Sequence, residues 1–186
     1  MASTYSPSLR IELIGAGEQA GTWNTTTNTN LGTLIEASIA GYVSVSVTSA
    51  NQAFTALDGA ADQARNAVIA LTTTTVAAFA VYAPPQEKTY IINNTTAFTA
   101  TIFNSTVIGN TTAAGTGIAV PPVTKIWVFS DGTNFYNGSS SLVTAAFSIV
   151  ESGGKLVFKH GATTIASLTS AGVFTALSNI QAGGTP

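Results

Sequence analysis

The stretch Tyr42-Val43-Ser44-Val45-Ser46-Val47-Thr48 decides how this chain is read. Its three valines point to one side and Ser44, Ser46 and Thr48 to the other, the period-two alternation of a strand with one buried face. Just upstream the period is helical. Leu31, Leu34, Ile35 and Ile39 recur at i, i+3, i+4 and i+8, with Thr29 or Asn30 placed to cap the start and Gly41 to stop the end. This predicts one short amphipathic helix over about 30–40, too short to hold its apolar stripe without a partner surface. Before it, Thr22 to Asn30 reads as an Asn/Thr loop, and Gly15 to Gly21 is too glycine-rich to continue the short strand at Ile11 to Ile14.

Downstream the strand style persists. Strands are predicted at 66–71, 76–82, 88–93, 97–103, 117–120 and 125–130, separated by turn signals at Pro84-Pro85, Asn93-Asn94, Gly109-Asn110, Pro121-Pro122 and Asp131-Gly132. Short strands with such punctuation predict an antiparallel β-sandwich or barrel, and no period supports a solenoid. After Asn137-Gly138-Ser139-Ser140-Ser141, read as a hinge, strands at 142–150, 155–160, 162–168 and 172–177 predict a β-meander with a tight hairpin at Gly153-Gly154. The expected division is therefore 1–49, an attachment segment with the helix; 50–138, a central β-domain; and 139–186, a C-terminal β-segment. The last is under 50 residues and buries too little apolar area alone, so it is expected to pack against copies of itself.

Composition narrows the function. The 186 residues carry a formal net charge of −2, only 8% are charged, and Thr alone occupies 30 positions. Nine Phe, five Tyr and two Trp supply a core, which excludes a disordered chain. Six scattered Lys and Arg give no footprint for nucleic acid. No apolar stretch reaches the ~20 residues of a membrane span, and Met1 to Ser8 lacks the pattern of a signal peptide, so synthesis in the cytoplasm is expected. With no Cys and a single histidine, His160, neither a disulfide nor a metal cluster can be built from one chain.

Reaction chemistry finds little support. Gly15-Ala16-Gly17-Glu18-Gln19-Ala20 fits a dinucleotide fingerprint, but it runs into the expected loop rather than opening a helix. His160 alternates with Leu156 and Phe158 and reads as a strand-end residue, or as a site at an axis where three copies meet. Asp58 and Asp62 lack an anchor that would aim them together, and turn formation explains Asp131 in Asp131-Gly132-Thr133-Asn134. There is no G-x-S-x-G elbow. The sequons at Asn24, Asn93, Asn94, Asn104, Asn110 and Asn137 follow from composition. The expectation is no enzyme, no cofactor and no metal. Trp127, Phe135 and Tyr136 are candidate glycan-stacking residues, with a core or interface role as the alternative.

Two stretches carry a resemblance. Leu9-Arg10-Ile11-Glu12-Leu13-Ile14, Gly17-Glu18-Gln19-Ala20-Gly21-Thr22-Trp23, Thr27-Asn28-Thr29-Asn30-Leu31 and Ile39-Ala40-Gly41-Tyr42 resemble the start of many tailed-bacteriophage tail fibre and virion structural proteins. Lys88 to Asn94, Val120-Pro121-Pro122 and Phe129 to Asn134 are similar to the β-domain that follows in those proteins. The resemblance covers roughly residues 9–138. It implies a virion component made in the host cytoplasm, most often a homotrimer, attached to other virion proteins through its N-terminal region. Gly17, Gly21, Trp23, Asn28, Asn30 and Leu31 are the docking candidates there: glycines for close backbone approach, Trp23 as an anchor, the Asn side chains to satisfy backbone. The chain is short and has no extended repeat, which fits a short tail fibre or tail adaptor. The rival expectations are a capsid decoration protein and a module that recognises host surface polysaccharide.

Overall fold

The computed structural model describes residues 2–138 and 146–177, and the chain forms two compact units, residues 1–139 and 140–186. It is mainly β, with open sheets. The strand expected at 142–150 and the hinge at 137–141 fall partly outside the described residues.

The first unit opens with an antiparallel ribbon of β1 (Thr4–Tyr5) and β2 (Glu12–Leu13). A helical run follows: α1 (Trp23–Thr29), a π-helical turn (Asn30–Ile35) and α2 (Glu36–Ala40). The Asn/Thr segment expected as a loop is thus helical, and Asn30 lies inside the run rather than at its start. Tertiary contacts override the weak helix propensity of Thr and Asn. Leu34 is fully buried, and the Asn30 amide bonds β2 at both Glu12 backbone groups, accepting from N–H at 3.2 Å and donating to O at 2.8 Å. Gly41 ends the run as expected, but through close packing in an extended conformation. Any Cβ there would collide with Ala37 O and Asn66 Oδ1.

Six strands then alternate between two sheets. β3 (Tyr42–Val47), β5 (Val68–Thr73) and β7 (Glu87–Asn94) pair in parallel in one. β4 (Asn51–Ala53), β6 (Phe79–Ala83) and β8 (Ala100–Asn104) pair in parallel in the other. Three antiparallel strands extend them: β9 (Ile118–Val120) beside β8, β10 (Thr124–Asp131) beside β7, and β11 (Phe135–Asn137) beside β10. The sheet orders are β11-β10-β7-β5-β3 and β4-β6-β8-β9.

The expected sandwich or barrel is therefore corrected in two respects: the central pairings are parallel, and no barrel closes. Alternation reports that one face of a strand is buried; it is silent on the direction of the neighbour. Two of the turn signals close no hairpin: Pro84-Pro85 carries the chain from one sheet to the other, and Asn93-Asn94 belongs to β7. The resulting coils also differ in length. Parallel partners lie 26 residues apart at Tyr42 and Val68 but 23 apart at Val68 and Ile91, so no fixed period marks the sequence.

One core lies between these sheets. Val45, Val47, Ile69, Leu71, Tyr90 and Ile92 from one sheet cluster with Phe79, Val81, Ile102 and Val120 from the other, each such side chain contributing about 1.5–3 kcal/mol on burial. The valine face of β3 points inward as its alternation predicts. Two buried amides close the ends of the core. Asn94 Nδ2 lies within 2.8–3.0 Å of the carbonyls of Phe98, Val120 and Pro121, while its Oδ1 accepts from Thr96 N–H and hydroxyl. Asn94 and Asn104 are both fully buried, so two of the sequons lie out of reach of solvent.

The second unit is an antiparallel meander of β12 (Phe147–Ser152), β13 (Lys155–His160), β14 (Thr163–Thr169) and β15 (Phe174–Ala176). Gly153 and Gly154 both have positive φ, 59° and 72°, the conformation of a type I′ hairpin turn. A bulge shifts the register between Phe158 and Lys159.

Candidate functional site

The N-terminal docking candidates divide by environment. Gly17 and Gly21 take φ of +83° and +86°, but no atom outside the local chain would meet a Cβ at either. They serve turns, not the close approach expected of them. Gly21 shapes the entry into α1, where Thr22 and Trp23 N–H both donate to Gln19 O at 2.9 Å. Asn30 does satisfy backbone, through Glu12; Asn28 is exposed and holds nothing comparable. Trp23 is 60% and Leu31 58% exposed, so the anchor residues stand open on the helical run. The glycine stretch does open a helix, contrary to expectation, but β2 before it pairs antiparallel with β1. The parallel β-α-β setting of a dinucleotide site is missing.

The carboxylates hold structure. Asp58 pairs with Arg10 at 2.7 Å. Asp62 forms a buried ion pair with Arg65 at 3.1 Å and accepts from the N–H groups of Leu57 and Arg65. Arg65 also donates to the carbonyls of Leu9, Leu57 and Ala60, clamping the N-terminal ribbon to the 54–67 connection. Beside this joint Lys88 Nζ donates to Arg65 O and Asn66 O, 4.6 Å from the Tyr90 ring centroid. Burial pulls its pKa down to about 8. Asp131 Oδ1 accepts from Thr133 and Asn134 N–H at 2.9 and 2.7 Å, the turn read from the sequence. The backbone bonds from Asn134 and then Thr133 hold its carboxyl at about 2. Among the described residues no three His, Cys, Asp or Glu gather as metal ligands.

Among the described residues two sheets present exposed apolar faces. On the five-stranded sheet a cross-strand row of outward residues runs Tyr42, Val68, Ile91, Trp127, with Phe129 and Tyr136 paired beside it. Trp127 and Tyr136 are 51% and 42% exposed, whereas Phe135 is 1% exposed. Of the three candidate glycan contacts, Phe135 is corrected to a core residue: it alternates with Tyr136 along β11 and points inward, its ring centroid 6.1 Å from that of Tyr90. Phe129 takes its place outside, stacked on Tyr136 at 5.0 Å and 19°. The sequence reading missed it, although its i+2 spacing from Trp127 carried the signal.

The second unit bears the other face. Ile149, Phe158, Ala166 and Ala176 stand opposite one another in register, as do Leu156, Leu168 and Phe174. Phe147 lies across from His160, ring centroids 4.8 Å apart. Leu156, Leu168 and Phe174 remain substantially exposed. The opposite face carries Ser148, Lys155, Lys159 and Thr175 around Val150 and Val157. His160 thus sits at the strand end beside an apolar face, as its alternation predicts.

No family model, no curated protein and no solved structure matches this chain.

Proposed function

We propose that this chain is a structural component of a tailed-bacteriophage virion, a short tail fibre, tail adaptor or tail-associated protein, acting by assembly into a homotrimer and docking on the particle. The observation that carries this reading is the single-layered sheet of the C-terminal unit, whose Leu156, Leu168 and Phe174 row is left open. A sheet with one apolar face needs a second layer to cover it. Another copy of the same face supplies one, and among the described residues Glu151 is the one acidic side chain on that side, on the outer strand β12.

Three copies rather than two follow the resemblance, since the tail fibre and virion proteins that the N-terminal region is similar to are most often homotrimers. Four strands ~4.8 Å apart and about 20 Å long present roughly 400 Å² per copy for such packing. The exposed Trp23 and Leu31 are the anchors for the particle, held on a helical run that Asn30 fixes to the N-terminal ribbon. Sequence likeness in that same region supports attachment there. A capsid decoration protein is the same physics at another address.

Sedimentation equilibrium of the full chain tests the assembly, and immunogold labelling of purified virions tests the address. The expected mass is three times 18.9 kDa, with label at the tail. A monomer at tens of micromolar, or virions without label, ends the proposal; label on the head selects decoration.

A further inference from the structure

We propose that the outer face of the five-stranded sheet, at its β10–β11 edge, binds a neutral polysaccharide. This goes beyond the assembly reading and does not rest on it.

The rings on this face are held before any ligand arrives. Tyr136 donates its hydroxyl to Asp131 Oδ2 at 2.9 Å and stacks on Phe129. Trp127 is backed by the Gly138 backbone, where an added Cβ would come within 2.9 Å of indole Cδ2. Gly138 N–H donates to Trp127 O at 2.8 Å, fixing that approach. Rings already fixed lose little entropy when a ligand lands on them. Beside Trp127 lies a slot of about 450 Å³, lined also by Ser38, Ile39, Thr89 and Ile91. That volume falls within the range of ligand sites, as does the mixture of apolar walls with a few hydroxyls.

Shape and charge select the occupant. The exposed rings of Trp127, Phe129 and Tyr136 lie in one strip near the sheet edge. A narrow chain of sugar rings, each with an apolar face and a rim of hydroxyls, matches a strip of aromatic faces edged by acceptors. Glu87 and Asp131 stand directly opposite each other beyond Phe129, and Lys125 is the one cation pointing outward from the described strands of this sheet. The strip is slightly acidic, which disfavours acidic polysaccharides and nucleic acid. Glu87 and Thr89 offer acceptors to sugar hydroxyls alongside the rings.

Affinity electrophoresis of the full chain through gels holding dextran, mannan, laminarin, alginate or polygalacturonate tests this, followed by indole fluorescence titration with the retarding polysaccharide. The Trp23→Phe variant leaves Trp127 as the sole indole. The expected result is retardation by at least one neutral polymer and by neither acidic one, with a change in Trp127 emission. Trp127→Ala and Phe129→Ala should each weaken binding tenfold or more while sedimentation mass stays unchanged. Circular dichroism checks that each variant is folded, and Tyr136→Ala replaces any that is not. No retardation by any neutral polymer, retardation by the acidic ones alone, or binding indifferent to both ring deletions overturns the proposal. So does a loss of oligomer mass on Trp127→Ala, which would make this strip a protein contact. Binding is read by mobility and assembly by mass, so either can fail alone.

Discussion

Asn104 Nδ2 lies 2.6 Å from Ser130 Oγ, joining the last parallel strand of one sheet to the antiparallel strand that caps the other. Ser130 in turn donates to Gln86 O at 2.8 Å and accepts from Gly132 N–H at 2.9 Å. One hydroxyl therefore binds both sheets and the turn that aims Asp131. Leaving its buried partners unsatisfied costs about 1–3 kcal/mol for each group stranded. Ser130→Ala is expected to lower the urea midpoint accordingly. Asn104→Ala should add little in the double variant, because both deletions break one network. Fully additive losses in urea denaturation would show that the two act separately.

The Arg65–Asp62 pair is buried on both sides, so removing one partner leaves a charge without compensation. Asp62→Asn is expected to cost about 3–5 kcal/mol, read as a lower denaturant midpoint at unchanged slope. Asp58→Asn, whose partner Arg10 sits in a more exposed pair, should cost under about 1 kcal/mol. Equal losses would contradict the structural weighting of the two pairs.

Lys88 gives the fold an alkaline signature. Desolvation lowers its pKa from 10.5 to about 8, against a smaller opposing effect of Asp62. A lysine depressed in the folded state binds fewer protons there than when unfolded, so stability rises with pH between about 8 and 10. Burial raises the Tyr90 hydroxyl well above its ordinary 10, which reverses the trend above that pH, since the unfolded chain then ionises and the folded one resists. Lys88→Met should flatten the rise. An unchanged slope between pH 8 and 10 in that variant would remove Lys88 as its source. At the acid end Asp131 contributes stability above its unfolded value near 4, lost as pH falls towards about 2.

Assembly through apolar faces should ignore salt. Surface ion pairs weaken as the Debye length shrinks to about 3 Å at 1 M, and the described residues of the C-terminal apolar face form none. The melting temperature of the proposed trimer is expected to stay nearly flat from about 50 mM to about 1 M sodium chloride, the range over which charge-driven interfaces dissociate. Phe174→Ser, placed among Leu156 and Leu168, should instead dissociate it at any salt concentration. A steep salt dependence by calorimetry would sink the charge-independent interface.

If the chain is the virion component proposed above, Trp23→Ala is expected to impair attachment to the particle while sparing the assembled mass and the fold, since its side chain is largely exposed in the single chain. Reconstitution of particles with the variant reads this directly. Trp127→Ala impairing attachment more strongly would place the docking surface on the sheet instead of the helical run.

Local pattern alone fixed a good deal of this protein. The valine alternation of β3, the strand over Lys155–His160, the Gly153-Gly154 turn and the Asp131 turn are all set by residues within a few positions of one another, so period and turn chemistry suffice to read them. Partner direction was decided only in three dimensions. Val68 finds Tyr42 on one side and Ile91 on the other, in parallel, because short links cross between sheets, and no local rule records which sheet a link enters. The helix over Trp23–Thr29 forms against the propensity of its own residues because Leu34 and Asn30 are held by distant chain. Phe135 and Phe129 are the same residue type on neighbouring strands; alternation puts Phe129 on the side of Trp127 and Phe135 opposite Tyr136, but which of the two sides faces the core is decided by packing, Phe135 against Tyr90.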